Sequence, residues 1–465
     1  MSACGSRLPD DVLEALDARN TGVTTGAGTS NVGGASAASS PEDGSSAGTG
    51  EGASVAGEET TDGAEAGPGA ATAVGALNFG AVKCGAPGSS DAGVTGNEIK
   101  VAAIVTDSGP LPGATEGSYR GAAAYASLVN SNGGICGRKI TVLKGDDGLD
   151  PRKGRGDFLR LEPQVLAFVG NFSVADSGYI DEIGKSGVPF VAITVDPSGR
   201  DLPNVYPKTT DDLVGTGSFT WWKQGHPNVT KAGLMFADVG GVRSNLPGAK
   251  AAMQRAGFSL AKEWALGAAT PDFTAEVRDA QDNGVQFLYL FAVEVNMHVR
   301  LVRNMRQQNY EPAVKAANIA YNTRFSQLLG TQGDGWENNQ THLQFLDPNE
   351  PKRSEALARF IDWNNRVFPG SQLDLFPVSG WGHMAYFVEA LKLIQGPITR
   401  DSLFDAMKKV PIYDDGGVGI KNNAATGRPE GPCFNIARHT GGRWVRQYPK
   451  DKLFECGIGQ LIKFQ

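Results

Sequence analysis

The chain has 465 residues, of which 40% are hydrophobic and 20% charged, and its formal net charge is -7. That length admits two or three domains. With no clustered Lys and Arg to neutralise phosphates or anionic lipid, the composition argues against a nucleic-acid partner and against a polybasic membrane patch. No apolar run reaches the roughly 18 residues that a membrane-spanning helix needs.

Residues 1–20 open with Met1-Ser2-Ala3-Cys4. This looks like the end of a bacterial lipoprotein signal, with the charged and apolar parts missing. The expectation is lipidation at Cys4 once an upstream start is used, and hence a membrane anchor on an extracytoplasmic protein. Residues 21–82 form a Gly/Ala/Ser/Thr-rich acidic linker, with no Lys or Arg between Arg19 and Lys83. Such a segment buries too little apolar surface to offset its ordering entropy and is expected to be disordered. As a flexible coil it would span roughly 40–45 Å, a tether between anchor and domain.

From residue 99 short apolar runs alternate with amphipathic stretches. Strands are predicted at 99–105, 139–143, 165–169, 189–194, 231–237, 259–266, 285–291 and 314–319. Helices are predicted at 115–130, 174–186, 244–256, 274–283 and 296–308, with a later pair at 354–368 and 380–393. This alternation implies α/β architecture with parallel sheets covered on both faces. Two sheets of four to six strands suit the strand count better than one, so two doubly wound lobes are expected.

In such sheets ligands sit beyond the carboxyl ends of the strands. The first strand runs into Thr106-Asp107-Ser108-Gly109-Pro110, the third into Gly170-Asn171-Phe172-Ser173 and then Asp176-Ser177, and the fourth into Thr194-Val195-Asp196-Pro197-Ser198. The candidate ligand-binding residues are therefore Ser108, Ser173, Asp176, Ser177, Thr194, Asp196 and Ser198. Any one of these strand ends alone reads as helix N-capping; the three together at one sheet edge point to a site. The second lobe offers Asp238, Glu294 and Tyr321 at its strand ends, and Trp381, at the start of a later helix, is a candidate aromatic wall. Three acids (Asp176, Asp196 and Glu294) give the expected pocket a net negative or mixed character.

Enzyme motifs fail. The first strand is followed by Gly109-Pro110-Leu111-Pro112-Gly113, whose prolines spoil a phosphate cradle. The G-x-S-x-G at 44–48 lies in the linker, where no strand–turn–helix can form. The 184–186 segment, Gly-Lys-Ser, lacks a P-loop's glycine register. The five histidines (His226, His298, His342, His383 and His439) are scattered. No C-x-x-C or other metal-ligand spacing occurs. Neither catalytic activity, a cofactor nor a metal is expected.

Taken in order, Gly96 to Val105 with Ser108-Gly109-Pro110, Asn130-Ser131-Asn132-Gly133-Gly134-Ile135-Cys136-Gly137-Arg138, Gly145-Asp146-Asp147 with Asp150-Pro151, Phe168-Val169-Gly170 and Gly187-Val188-Pro189 resemble a known family. The chain is similar over roughly 96–410 to the branched-chain amino acid and amide (Leu/Ile/Val) binding proteins of ABC transporters, which have the type I periplasmic binding fold. The resemblance implies two lobes joined by a three-strand hinge. The expected division is lobe 1 at 97–211 plus 342–410 and lobe 2 at 212–341 plus 411–465, with crossovers near Asp211, Thr341 and Val410. It also implies a small polar ligand (an amino acid, an amide or similar) closed between the lobes, and ABC permease subunits as partners. A free-standing sensor that presents ligand to a separate receptor is the alternative. The sequence departs from that family where Ala114 replaces a tyrosine, where Val174-Ala175-Asp176-Ser177 replaces a Ser/Thr run, and where Ile319-Ala320-Tyr321-Asn322 lacks the acid that receives a ligand ammonium.

Four of the five cysteines lie in the body of the chain. Cys84–Cys136 and Cys433–Cys456 are the expected disulfides. Cys84 and Cys136 precede neighbouring strands at one sheet edge, and a hairpin through Thr440-Gly441-Gly442 folds Cys456 back toward Cys433.

Overall fold

The computed structural model describes residues 88, 90–210 and 212–464. Cys4, Cys84, the 1–20 and 21–82 segments and Asp211 lie outside the described residues.

The first strand, β1 (Glu98–Val105), is apolar over most of its length, and its residues from Val101 to Val105 are fully buried. That pattern belongs to a central parallel strand covered on both faces. Helix α1 (Gly117–Ser131) leads to β2 (Lys139–Asp146), α2 (Pro151–Leu161), β3 (Ala167–Val169), α3 (Ile180–Ser186), β4 (Phe190–Val191) and β5 (Val205–Tyr206). These strands form a five-stranded sheet in the order β2-β1-β3-β4-β5, all parallel.

The chain then passes through β6 (Leu213–Gly215) and α4 (Gly217–Gly225) into β7 (Lys231–Ala237), α5 (Gly240–Arg255), β8 (Ser259–Leu266), α6 (Thr274–Asp282), β9 (Phe287–Phe291), α7 (Val295–Gln307), β10 (Val314–Ala317), α8 (Thr323–Leu329) and β11 (Trp336–Gln340). Here β8-β7-β9-β10-β11 repeats the strand order of the first sheet, and β14 (Asn435–Thr440) and β15 (Arg443–Tyr448) extend it antiparallel to seven strands. Between β11 and β14 the chain returns to the first sheet as α9 (Glu355–Val367), α10 (Leu375–Leu393) and α11 (Arg400–Met407), then makes the small ladder of β12 (Ile412–Tyr413) and β13 (Asn422–Asn423). A last strand, β16 (Leu461–Lys463), pairs antiparallel with β6. This is the α/β, parallel-sheet architecture expected.

Helices α1 and α10 meet through glycine. A Cβ at Gly380 would fall on the Ser118 carbonyl, and one at Gly121 on the Pro377 carbonyl. Beside this contact the ring of Trp381 stands edge-on to Tyr125 at 4.7 Å.

Three passages of chain lie side by side between the sheets. Lys208 N–H donates to the Ala424 carbonyl at 2.8 Å, Ile420 N–H to Thr341 at 2.8 Å and Leu343 N–H to Val418 at 2.7 Å. The third passage thus lies at 418–424 rather than at Val410. Before it, the 413–416 stretch packs on α10, with Tyr413 stacked on His383 and Gly416 against Trp381. After the second passage the chain stays with the second sheet, where Asp347 accepts from Arg446 N–H and Glu350 pairs with the Arg446 guanidinium.

Other expectations needed adjustment. The helix at 174–186 is broken into a 3-10 turn, Asp176–Gly178, and α3. Gly178 sits so close to the Pro151 carbonyl that no side chain fits, and the turn is pinned there. The strand at 189–194 pairs only at Phe190–Val191. The later helix starts at Leu375, capped by Asp374, so Trp381 lies inside it rather than at its start. The turn at Gly441-Gly442, both with positive φ, closes the β14–β15 hairpin.

Candidate functional site

Both sheets change direction between their first and third strands (β1/β3 and β7/β9), and parallel sheets of this winding hold ligands outside the carboxyl ends at such points. A cleft of about 710 Å³ lies there. Its lining comes from the segments after β1 (Leu111 to Glu116), β3 (Phe172, Val174), β4 (Ile193 to Val195), β7 (Asp238, Val239), β9 (Phe291, Ala292 and Glu294 to Met297) and β10 (Asn318, Ile319). The N-terminal part of α10, with Leu375 and Phe376, completes the wall on the first sheet.

The cleft is mostly apolar. Phe172 and Phe376 stand edge-to-face at 4.8 Å and present one aromatic wall. Opposite them are Val239, Val242, Leu266 and Phe291. The end of the chain contributes as well. Pairing of β16 with β6 brings Phe464 against α5, where Gly248 leaves room for its ring: a Cβ at Gly248 would lie 2.9 Å from that ring. Phe464 then lines the cleft.

Most charges in the cleft are already engaged. Glu116 pairs with Arg120 at 2.7 Å, and Arg120 also donates to the Gln372 carbonyl at 3.2 Å. Asp238 pairs with Arg243 at 2.6 Å. Arg200 donates to Asn245 Oδ1 at 3.0 Å. Glu294 caps α7, accepting from Asn296 N–H at 2.8 Å and Met297 N–H at 3.4 Å, while its other oxygen accepts from the Asn296 amide. Asp374 caps α10 through Phe376 N–H at 2.9 Å. Burial raises the pKa of both acids, Asp374 to about 6. Arg324, in the first turn of α8, is exposed to the cleft, and its guanidinium makes no hydrogen bond or ion pair among the described residues.

Of the residues expected at the site, Thr194, Asp238 and Glu294 line the cleft. The others stand elsewhere. Ser108 Oγ donates to Asp146 at 2.5 Å beside Lys153. Ser173 is buried and donates to Asp147. Asp176, also buried, accepts the Val195 N–H at 2.6 Å and the Asp196 N–H at 3.1 Å, so it shapes the loop whose Val195 faces the cleft. Asp196 caps a 3-10 turn through Ser198 N–H at 2.9 Å and also accepts from Ser198 Oγ. Ser177 and Ser198 are exposed outside the lining. Tyr321 is a core residue whose hydroxyl accepts from Leu346 N–H at 2.7 Å and Asp347 N–H at 3.2 Å. Trp381 is core as well, between Tyr125 and Phe360. Phe376, Arg120, Arg324 and Phe464 went unnoticed in the sequence. For Phe376 the Asp-Leu-Phe-Pro run at 374–377 offered a helix-start signal; for Phe464 no local pattern existed.

Cys433 and Cys456 are joined as expected, with Cα atoms 4.1 Å apart. Cys136 is also disulfide-bonded, but its expected partner Cys84 lies outside the described residues. Lipidation at Cys4 likewise falls outside them. No helix among the described residues is long and apolar enough to cross a membrane.

A family model described as "Periplasmic binding protein" matches residues 98–443. The chain belongs to the periplasmic binding protein family. Phe464 lies beyond the matched range. A Leu/Ile/Val-binding protein homolog 7 from Brucella abortus (strain 2308) is 31% identical over 138 residues, 28% of this chain and 33% of that protein. The alignment with these curated relatives thus spans about one third of their length. Among solved structures, a fatty acid ABC transporter substrate-binding protein from Thermomonospora curvata superposes with a TM-score of 0.62 at 22% identity, covering 78% of this chain and 95% of that one. A solute-binding protein from R. palustris in complex with benzoate gives 0.61 at 16%, covering 78% and 97%. A branched-chain amino acid substrate-binding protein from Streptococcus pneumoniae in complex with isoleucine gives 0.61 at 15%, covering 76% and 100%. At these identities the likeness is one of fold: the type I periplasmic binding fold.

Proposed function

We propose that this chain is an extracytoplasmic substrate-binding protein that captures a small molecule between its two lobes and delivers it to the permease of an ABC transporter. The observation that carries the reading is the cleft itself, set at the carboxyl ends of both sheets with three adjacent chain passages beside it. A few chain passages side by side make a hinge that bends without unfolding either sheet, and closure on ligand supplies a shape that a permease can recognise. The division into lobes follows the sheets, with the hinge at 208–210, 341–343 and 418–424. The Cys433–Cys456 bond suits an oxidising compartment. Anchoring through a lipidated Cys4 is part of the same proposal; globomycin treatment followed by intact mass tests it.

Native mass spectrometry of the isolated protein identifies the molecule it carries. Deleting the gene should abolish uptake of that molecule by the cells. Unchanged uptake would refute the transport reading and leave the chain as a free-standing sensor.

A further inference from the structure

The chemistry of the cleft goes further than that reading, on which the following rests. We propose that the ligand is an elongated apolar monocarboxylate, with its hydrocarbon body against Phe172, Phe376, Val195, Val242 and Phe464 and its carboxylate on Arg324.

An α-amino acid asks for two things that this cleft supplies only sparsely. Its ammonium would meet carboxylates that already have partners: Glu116 and Asp238 pair with arginines, while Glu294 and Asp374 accept backbone N–H groups as helix caps, which leaves one oxygen each of Asp238 and Asp374 open. Its carboxylate needs free hydroxyls or amides at the strand ends. Ser108, Ser173 and Ser198 are bonded to Asp146, Asp147 and Asp196 instead, and Thr194 Oγ1, buried at the cleft wall, is the hydroxyl there without a partner among the described residues.

What the cleft does offer is apolar wall and the guanidinium of Arg324. A cavity of about 710 Å³ falls in the range that holds drug-sized, largely hydrophobic molecules. The Arg324 guanidinium is unpaired among the described residues. Closing the lobes would take it out of water, and an unpaired buried charge is strongly disfavoured. Glu294 feels its charge, but that acid is committed to Asn296 and Met297. An anion carried in by the ligand resolves the difficulty: a carboxylate meets a guanidinium through two parallel charge-assisted hydrogen bonds. A neutral apolar ligand would leave the guanidinium unpaired, and a polar one would waste the walls.

The test uses the full chain, freed of co-purified ligand by unfolding and refolding with its disulfides oxidised. Decanoate, 1-decanol and L-leucine are titrated by calorimetry into the wild type, Arg324→Gln and Phe464→Ala, and folding of each variant is checked by circular dichroism. Saturable decanoate binding is expected, at least ten-fold weaker in Arg324→Gln, with 1-decanol weak and indifferent to that substitution. Phe464→Ala should weaken decanoate and 1-decanol alike. The proposal is overturned if 1-decanol matches decanoate, if Arg324→Gln folds and binds decanoate normally, or if decanoate does not bind. Should L-leucine bind and compact the particle in solution scattering while decanoate does not, the ligand class falls and the substrate-binding function stands.

Discussion

Replacing Asp176 by Ala should destabilise the fold while barely touching ligand affinity. The side chain is 4% exposed and accepts two backbone N–H groups, from Val195 at 2.6 Å and from Asp196 at 3.1 Å. Removing it strands both donors. Each stranded buried donor costs about 1–3 kcal/mol, and since Val195 and Asp196 are only half-buried, the lower half of that range applies, giving about 2–4 kcal/mol in all. The cost depends on pH. Burial pushes the Asp176 pKa up to about 7 from 3.8, so the native state binds this proton more tightly than the unfolded chain does. The resulting stabilisation is complete below pH 3.8 and is lost as pH rises through about 7. Urea unfolding at pH 5.5 and pH 8 should therefore show wild type losing stability relative to Asp176→Asn at the higher pH. An Asp176→Ala variant as stable as wild type that binds ligand ten-fold more weakly would refute this reasoning and return Asp176 to the binding site.

Two further perturbations follow from the second lobe. Glu350 and Arg446 form a buried pair, with Nε–Oε1 at 2.5 Å and Nη2–Oε2 at 2.7 Å. Glu350→Ala strands the guanidinium, whose remaining partners are three backbone carbonyls, and should cost about 3 kcal/mol in urea unfolding, the low end for breaking a buried pair. Cys433→Ser with Cys456→Ser opens a loop of 23 residues' separation and should cost about 3 kcal/mol by loop-closure entropy. Because that bond holds the segment leading to β16, hydrogen exchange should rise first at 457–464.

The framework of the fold was legible because it depends on local pattern. β7 and β8 begin and end where their apolar runs do, at Lys231–Ala237 and Ser259–Leu266. β11 was illegible: its sequence is Trp-Glu-Asn-Asn-Gln, the composition of a turn. It survives as a strand because distant partners satisfy its polar groups. Glu337 accepts from Trp222 and Arg438, Asn338 from the Ala320 N–H, and Gln340 donates to Asn435. Site residues divided along the same line. Proximity to a strand end brings Thr194, Asp238 and Glu294 to the lining. Whether a Ser or Asp at such an end faces ligand or caps a turn depends on what packs behind it. Asp147 claims Ser173, and the 195–196 loop claims Asp176. Tyr321 and Trp381 were drawn inward by Phe345, Trp444, Tyr125 and Phe360, none of them near in sequence. Phe464 reaches the cleft only because β16 pairs with a strand at the far end of the second lobe's sequence.

The central claim is a cleft that closes on its ligand about three adjacent passages of chain. Small-angle X-ray scattering of the full chain, stripped of ligand and then saturated with the molecule recovered from the isolated protein, tests it most directly. Closure predicts a smaller radius of gyration and a shorter maximum dimension on saturation. Superimposable curves at confirmed full occupancy would contradict the account.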